Sequence, residues 1–277
     1  MTKEEQIEYK HVQDLERLKA FRLMDDEFMT ACFDGNPESV ELVLQIIMDR
    51  TDLRVLDVKV QYFLKNLLKR SVWLDVLATD QDGKKYNIEI QRSDKGASAK
   101  RARYHSSLID AKVMEKRADF DELPESYVIF VTENDVLGNG EPIYHIDRYV
   151  QENGEYFGDE AHIIYVNGTY RGDDPLGRLM EDFCCTEPSK MYYNVLKDRV
   201  SYFKENKEGV AIMCRAIEEM RNQEREEGRA EGRAEERVLL IKKMLSKQMT
   251  PEEIIDICDC NMQEVQEIQR MMKMMAP

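Results

Sequence analysis

No apolar run in this 277-residue sequence reaches the length of a membrane span. Its first residues, Met1-Thr2-Lys3-Glu4-Glu5-Gln6, are charged rather than apolar. The expectation is therefore a cytoplasmic protein with no membrane segment and no secretion signal. There is no Gly-x-x-x-x-Gly-Lys phosphate loop, no Gly-x-Ser-x-Gly elbow and no His-Glu-x-x-His, which removes the nucleotide-binding, serine-hydrolase and zinc-protease chemistries that those spacings serve. None of the six cysteines forms Cys-x-x-Cys. The spacings of Cys184-Cys185 and Cys258-Asp259-Cys260 suit zinc poorly, so free, mostly buried thiols in a reducing compartment are expected. The four histidines, His11, His105, His145 and His162, are too scattered to mark a site. His162, between Ala161 and Ile163, reads as a satisfied strand residue.

A uniformly acidic chain avoids DNA, and the net charge here is −15. The charge is not uniform. Between Gln61 and Arg117, thirteen lysines and arginines face seven acids, a basic island that includes Lys65, Lys69, Arg70, Arg92, Lys95, Lys100, Arg101 and Arg103. Such an island predicts weak, salt-sensitive, backbone-directed contact with a polyanion.

Within the island lies a hairpin pattern. Val72, Leu74, Val76 and Ala78 alternate with Trp73, Asp75, Leu77 and Thr79, and Ile88 and Ile90 alternate with Asn87, Glu89 and Gln91. This period of two marks half-buried strands, with Asp82-Gly83 as the turn. A two-residue loop would set Asp75 against Ile90. A three-residue loop, Gln81-Asp82-Gly83 with Gly83 left-handed, pairs Asp80 with Lys84, Asp75 with Glu89 and Trp73 with Gln91. The second register sorts apolar residues onto one face and carboxylates onto the other, and is the one predicted. Two facing carboxylates repel by up to ~1 kcal/mol. A hard divalent cation such as Mg²⁺ reverses that sign, and such sites act on phosphate esters.

Asp75, a strand, a glycine turn and Glu89-Ile90-Gln91 together resemble the core of the PD-(D/E)XK nuclease superfamily. In particular they resemble the PD-(D/E)XK nuclease family transposases, which commonly show Glu-x-Gln in place of Glu-x-Lys. Lys100-Arg101-Ala102-Arg103-Tyr104-His105 is similar to the basic helix of that group, and Glu122 to Val131 to its next strand. His162 to Tyr170 and Leu176 to Phe183 are similar to the downstream segments. Together the blocks cover about residues 20 to 220.

The resemblance implies a restriction-endonuclease-like α/β core, a mixed sheet flanked by helices, acting as a metal-dependent DNA endonuclease tied to a mobile element or recombination. It implies Mg²⁺ or Mn²⁺ held by Asp75, Glu89 and the Ile90 backbone carbonyl, with Gln91 orienting the attacking water. Glutamine carries no charge to replace the lysine of the superfamily name. Lys85 shares the strand face and is the nearest stand-in. Lys85, Arg92, Lys100, Arg101 and Tyr104 are the candidate DNA contacts. An early helix of such nucleases often adds an acid, for which Asp25, Asp26, Glu27 and Glu41 are the candidates. The competing function classes are a catalytically weak DNA-associated assembly protein and a protein-interaction factor. Nucleoid association follows from the DNA reading.

Residues 1–20 read as a charged helical lead. Helices are expected from Asp25 to Phe33 and over Pro37–Arg50. A further helix is expected from Lys95 to about Arg117, and another from Met191 to about Met220. Strands are expected at Tyr127–Thr132, Ile143–Tyr149 and Ala161–Val166. The nuclease-like domain is expected to span 1–220. A Glu-Gly-Arg-Ala repeat then forms a charged helix or linker at 221–237, with Gly228 and Gly232 each costing ~1 kcal/mol. A helix-turn-helix-like appendage follows at 238–277. In it, Thr250-Pro251-Glu252-Glu253 is a capping box. Its acidic last helix and Met-rich end predict homo-oligomerisation or partner docking rather than major-groove reading.

Overall fold

The computed structural model describes residues 2–65, 71–258 and 260–274. Lys69 and Arg70 of the basic island and Asp259 of the expected turn lie outside them. The chain forms two compact units, Met1–Arg215 and Ala216–Pro277.

The first unit opens with α1 (Lys3–Ala20), started by a capping box between Thr2 and Glu5. Next come α2 (Asp26–Phe33) and α3 (Pro37–Ile47). Asn36 caps α3 by accepting from the Ser39 N–H, and Pro37 occupies its first turn, where no N–H is needed. Along one face of α3, Val40, Val43, Leu44 and Ile47 are all buried.

The strands β1 (Val55–Leu64), β2 (Val72–Asp80), β3 (Lys85–Gln91), β4 (Ser126–Thr132), β5 (Ile143–Ile146) and β6 (Ala161–Asn167) form one mixed sheet in the order β1-β2-β3-β4-β6-β5. The pairs β1/β2, β2/β3 and β5/β6 are antiparallel, whereas β3/β4 and β4/β6 are parallel. The helix α4 (Ala99–Val113), capped by Ser98, makes the crossover between β3 and β4, as a parallel pair requires. Then follow α5 (Pro175–Cys184), α6 (Asn194–Glu205) and α7 (Lys207–Ser246). The helix expected from Met191 to Met220 is thus two helices, broken at Asn206.

The hairpin has the three-residue loop. Val76 pairs Ile88 and Thr79 pairs Lys85. Asp80 N–H donates to the Lys84 carbonyl, and Gly83 takes a φ of +83°. Buried Asp80 anchors the turn: its carboxylate accepts from the N–H groups of Asp82 and Lys84 and from the Tyr86 hydroxyl. Asx chemistry of this kind holds a tight turn against the solvent.

Three expectations are corrected. β3 is not half-buried, since Tyr86 to Ile90 are all buried; α4 covers the carboxylate face. β1 is not among the expected strands, although Val58, Val60, Tyr62 and Leu64 recur with a period of two. The cysteines are all free, but only Cys32 and Cys258 are buried.

In the second unit, α8 (Pro251–Ile257) starts with the reciprocal Thr250–Glu253 capping box and is followed by α9 (Met262–Met274). Ile241 of α7, Ile254, Cys258, Val265 and Ile268 form a small core. Arg237 pairs with Glu264 at its rim. The short helices therefore find a packing partner in the chain itself. No helix among the described residues is long and apolar enough to cross a membrane.

Candidate active site

The site lies where the sheet forks. The β2/β3 ladder stops at Val76 and Ile88. Beyond that pair β2 stays with β1 as far as Val72–Leu64, and β3 stays with β4 as far as Gln91–Thr132. In the gap, side chains replace backbone partners. The Ile90 N–H donates to Asp75 Oδ2 at 2.8 Å, and the Asp75 N–H to Glu89 Oε1 at 3.4 Å. Gln91 O accepts from the Glu133 N–H, on the β4 side. Alternation along a strand therefore turns the Ile90 carbonyl toward β2, the side of Asp75. The fork also corrects the expected Trp73–Gln91 pairing. Trp73 pairs with Phe63 in β1, and Gln91 turns to α4 instead.

Asp75 is 7 % exposed and Glu89 fully buried. Burial first, then the charges of Glu89 and Asp26, push the Asp75 carboxyl up to about 8, against the Ile90 hydrogen bond and Arg101, which pull it down. Glu89 is met from α4 by Arg101 Nη2 at 3.0 Å and by His105 Nδ1 at 3.4 Å. Residues 101 and 105 lie one turn apart on the same helix face, and Arg101 Nε donates to His105 Nε2 at 3.2 Å. Arg101 Nη1 reaches the Gln91 side-chain oxygen at 3.3 Å and the Gly96 carbonyl at 2.9 Å. A Cβ on Gly96 would lie 1.9 Å from that Gln91 oxygen, so only glycine permits this approach. Asn87 Nδ2 lies 3.3 Å from His105 Nδ1, while its Oδ1 is buried without a hydrogen-bond partner.

Of the early-helix acids, Asp26 is the one at the site. It lines the same cavity as Asp75 and Gln91. Desolvation by the surrounding protein, then Glu27 and Glu89, raise its carboxyl, although the residue keeps contact with solvent. Asp25 is occupied with Arg22 and Arg92, and Glu41 accepts from the Val55 N–H at 2.9 Å. Glu27 is exposed and outside the cavity. Gln61 spans from β1 to α2, its amide donating to Asp26 Oδ1 at 2.9 Å and to Thr30 Oγ1 at 3.2 Å. It does so from a left-handed backbone with φ +46°, a strained conformation for a residue with a side chain.

The cavity measures about 1180 Å³ and also takes in Trp73, Lys95, Lys100, Arg101, Arg103 and Tyr104. Of the candidate DNA contacts, Lys100, Arg101 and Tyr104 line this cavity. Lys85 and Arg92 do not: Lys85 Nζ donates to Thr79, and Arg92 is bound to Asp25 and Glu133. The sequence pattern sets His105 aside with the other histidines, and it singles out neither Gln61 nor Asn87 as a polar group of the site. Only His105 has a signal, its spacing from Arg101.

Asp75, Glu89 and the Ile90 carbonyl fit Mg²⁺ in kind, since that ion takes one or two carboxylates and keeps several waters. Among the described residues, no three acids, histidines or cysteines converge as a ready metal cluster. The electrostatic need is present all the same, because Asp75 carries the burial and the neighbouring charges noted above.

A mixed sheet flanked by helices, with two buried acids on neighbouring strands, defines a PD-(D/E)XK-like α/β fold. Residues 40–168 match the family model described as PD-(D/E)XK nuclease family transposase. The match includes the hairpin, α4 and β4 to β6. The expected downstream block from Leu176 to Phe183 lies outside it. No curated protein and no solved structure matches the chain significantly. Members of the superfamily generally use divalent metals, and the family name implies DNA as substrate.

Proposed function

We propose that the first unit is a Mg²⁺- or Mn²⁺-dependent endodeoxyribonuclease, cytoplasmic and nucleoid-associated, serving mobility or recombination. The observation that carries this reading is the buried Asp75–Glu89 pair at the sheet fork, with Asp75 lining a cavity that is rimmed with basic side chains. In this reading Asp75, Glu89 and the Ile90 carbonyl hold the ion, with Asp26 close by. The cation supplies charge for activating water and for neutralising the scissile phosphate. Arg101 supplies the positive charge that Gln91 lacks: its guanidinium touches both Glu89 and Gln91, the position of the superfamily lysine. Gln91 then needs only to orient water, and Lys100 and Tyr104 hold the strand through its backbone. The nuclease-like part is taken as 1–220, with 221–237 a charged helical spacer and 238–277 a self-association module.

One observation favours the catalytically weak alternative. Glu89 already has the Arg101 guanidinium as a counter-charge, so the fold does not need a metal to neutralise it. A plasmid-cleavage assay of purified protein with Mg²⁺, Mn²⁺, Ca²⁺ and EDTA, beside Asp75→Ala, decides between the two. Metal-dependent nicking that Asp75→Ala abolishes is expected. Retention on DNA without nicking would favour the assembly role, and neither would leave only a protein-interaction role.

A further inference from the structure

Trp73 is the only tryptophan in the chain and one of its more exposed large side chains, at 57 %. A hydrophobic residue standing alone on the surface needs no explanation. Trp73 does not stand alone. Phe63, itself 42 % exposed, packs against it from β1 with ring centroids 4.7 Å apart at 40°. The pair props the indole at the rim of the cavity that contains Asp75.

Trp73 and Asp75 occupy alternate positions of β2, hence the same face of the sheet, about 7 Å apart along the strand. Three cations, Lys95, Lys100 and Arg103, are exposed along the same cavity, against one exposed acid, Asp26. An aromatic plate beside a cationic rim suits a ligand with a flat apolar surface and a negatively charged chain, and an apolar protein segment would leave the cations without a counter-charge. A nucleic acid strand has both parts. In an intact duplex, however, each base face is already covered by its neighbours. An aromatic side chain stacks only on a base that has left the helix or was never in one.

We propose that Trp73, backed by Phe63, is a stacking platform for an unpaired nucleobase. DNA thus reaches Asp75 and Glu89 as a single strand or as a duplex opened at the point of cleavage. This rests on the reading of the site as a DNA-cleaving one, and it specifies the substrate form. Base stacking is indifferent to base identity, so the platform gives strand selectivity without sequence selectivity.

A sole tryptophan makes the test direct. The full-length protein is titrated in EDTA, so that no cleavage intervenes. The probes are a single-stranded oligodeoxynucleotide, an abasic strand of the same length and a blunt hairpin duplex. Tryptophan emission and the anisotropy of an end label are read together. The single strand should bind and quench emission, while the abasic strand, with the same phosphates, should bind more weakly and leave emission unchanged. Trp73→Ala should weaken binding of the base-bearing strand by ~5- to ~150-fold and leave abasic binding as it was. Trp73→Phe should bind within a few-fold of wild type, separating loss of the ring from loss of the fold. Equal affinity for base-bearing and abasic strands, or a single strand bound without quenching, overturns the platform. Quenching in a protein that shows no metal-dependent cleavage upholds the platform and sinks the nuclease reading. Cleavage that Asp75→Ala abolishes but Trp73→Ala leaves equal on duplex and single strand does the reverse.

Discussion

Asp75 bears the electrostatic cost of this site. Its carboxyl is raised to about 8 by burial and by Glu89 and Asp26. A raised folded-state value means that the fold favours the protonated acid. The stabilisation is fully present below the ordinary carboxylate range and is lost as the pH climbs through about 8. In EDTA, the unfolding free energy should therefore fall between pH ~4 and ~8. Asp75→Asn should flatten that slope and exceed wild type at pH 8. Urea denaturation at pH 5 and pH 8 checks this, and parallel curves for the two proteins would contradict it. Asp75→Ala and Glu89→Ala should each abolish cleavage by plasmid assay.

Arg101 and Gln91 make a second prediction at the same scale. Arg101→Gln should abolish cleavage and cost roughly 1–3 kcal/mol by leaving buried Glu89 short of a charged partner. Gln91→Lys alone should destabilise, because Trp73 is not there to receive the ammonium and Arg101 is 3.3 Å from the native amide oxygen. The double change Gln91→Lys with Arg101→Gln restores one cation beside Glu89 and should recover both stability and nicking relative to Arg101→Gln. Thermal melts and the cleavage assay measure the two effects, and a double variant no better than either single one would refute the exchange.

At the scale of elements, α7 carries the clearest prediction. Gly228 and Gly232 sit inside this 40-residue helix, and a Cβ added at either would have nothing within 4 Å. Each costs ~1 kcal/mol relative to alanine, and no neighbour stands in the way of the change. Gly228→Ala with Gly232→Ala should raise helicity by circular dichroism and leave cleavage untouched. The elements also show what is legible in the sequence. The Gln81–Gly83 loop, the register beside it and the Thr250–Glu253 cap are readable because a few adjacent residues settle them. The β2/β3 fork is not, since the period of two runs unbroken through Trp73 and Gln91 on both strands. Nor is the covering of Glu89, because Arg101 and His105 have the same spacing on a helix facing solvent as on one facing an acid. Asp26 is one of four indistinguishable acids until tertiary packing gives Asp25 and Glu41 other partners.

At the scale of the molecule, the proposed catalytic and associative roles separate along the chain. The acids, Arg101 and the cavity all belong to Met1–Arg215. From Ala216 onward the charged repeat offers little to bury. The helices after Val238 close a small core of their own around Ile241, Ile254 and Val265. That core leaves Leu239, Leu240, Ile257 and Met271 exposed, enough apolar surface on so small a unit to favour association. A chain ending at Met220 should therefore remain folded, bind DNA and cleave at the wild-type rate, while running as a monomer. The full chain should scatter light as a dimer or larger, and Leu239→Glu with Ile257→Glu should return it to the monomer without unfolding it. These two lie outside the Ile241–Ile254–Val265 core, so a charge there costs solvent-facing contact rather than packing. Equal mass per particle for full-length, truncated and doubly substituted proteins would remove the associative role, and loss of cleavage on truncation would show that the two roles are not separate.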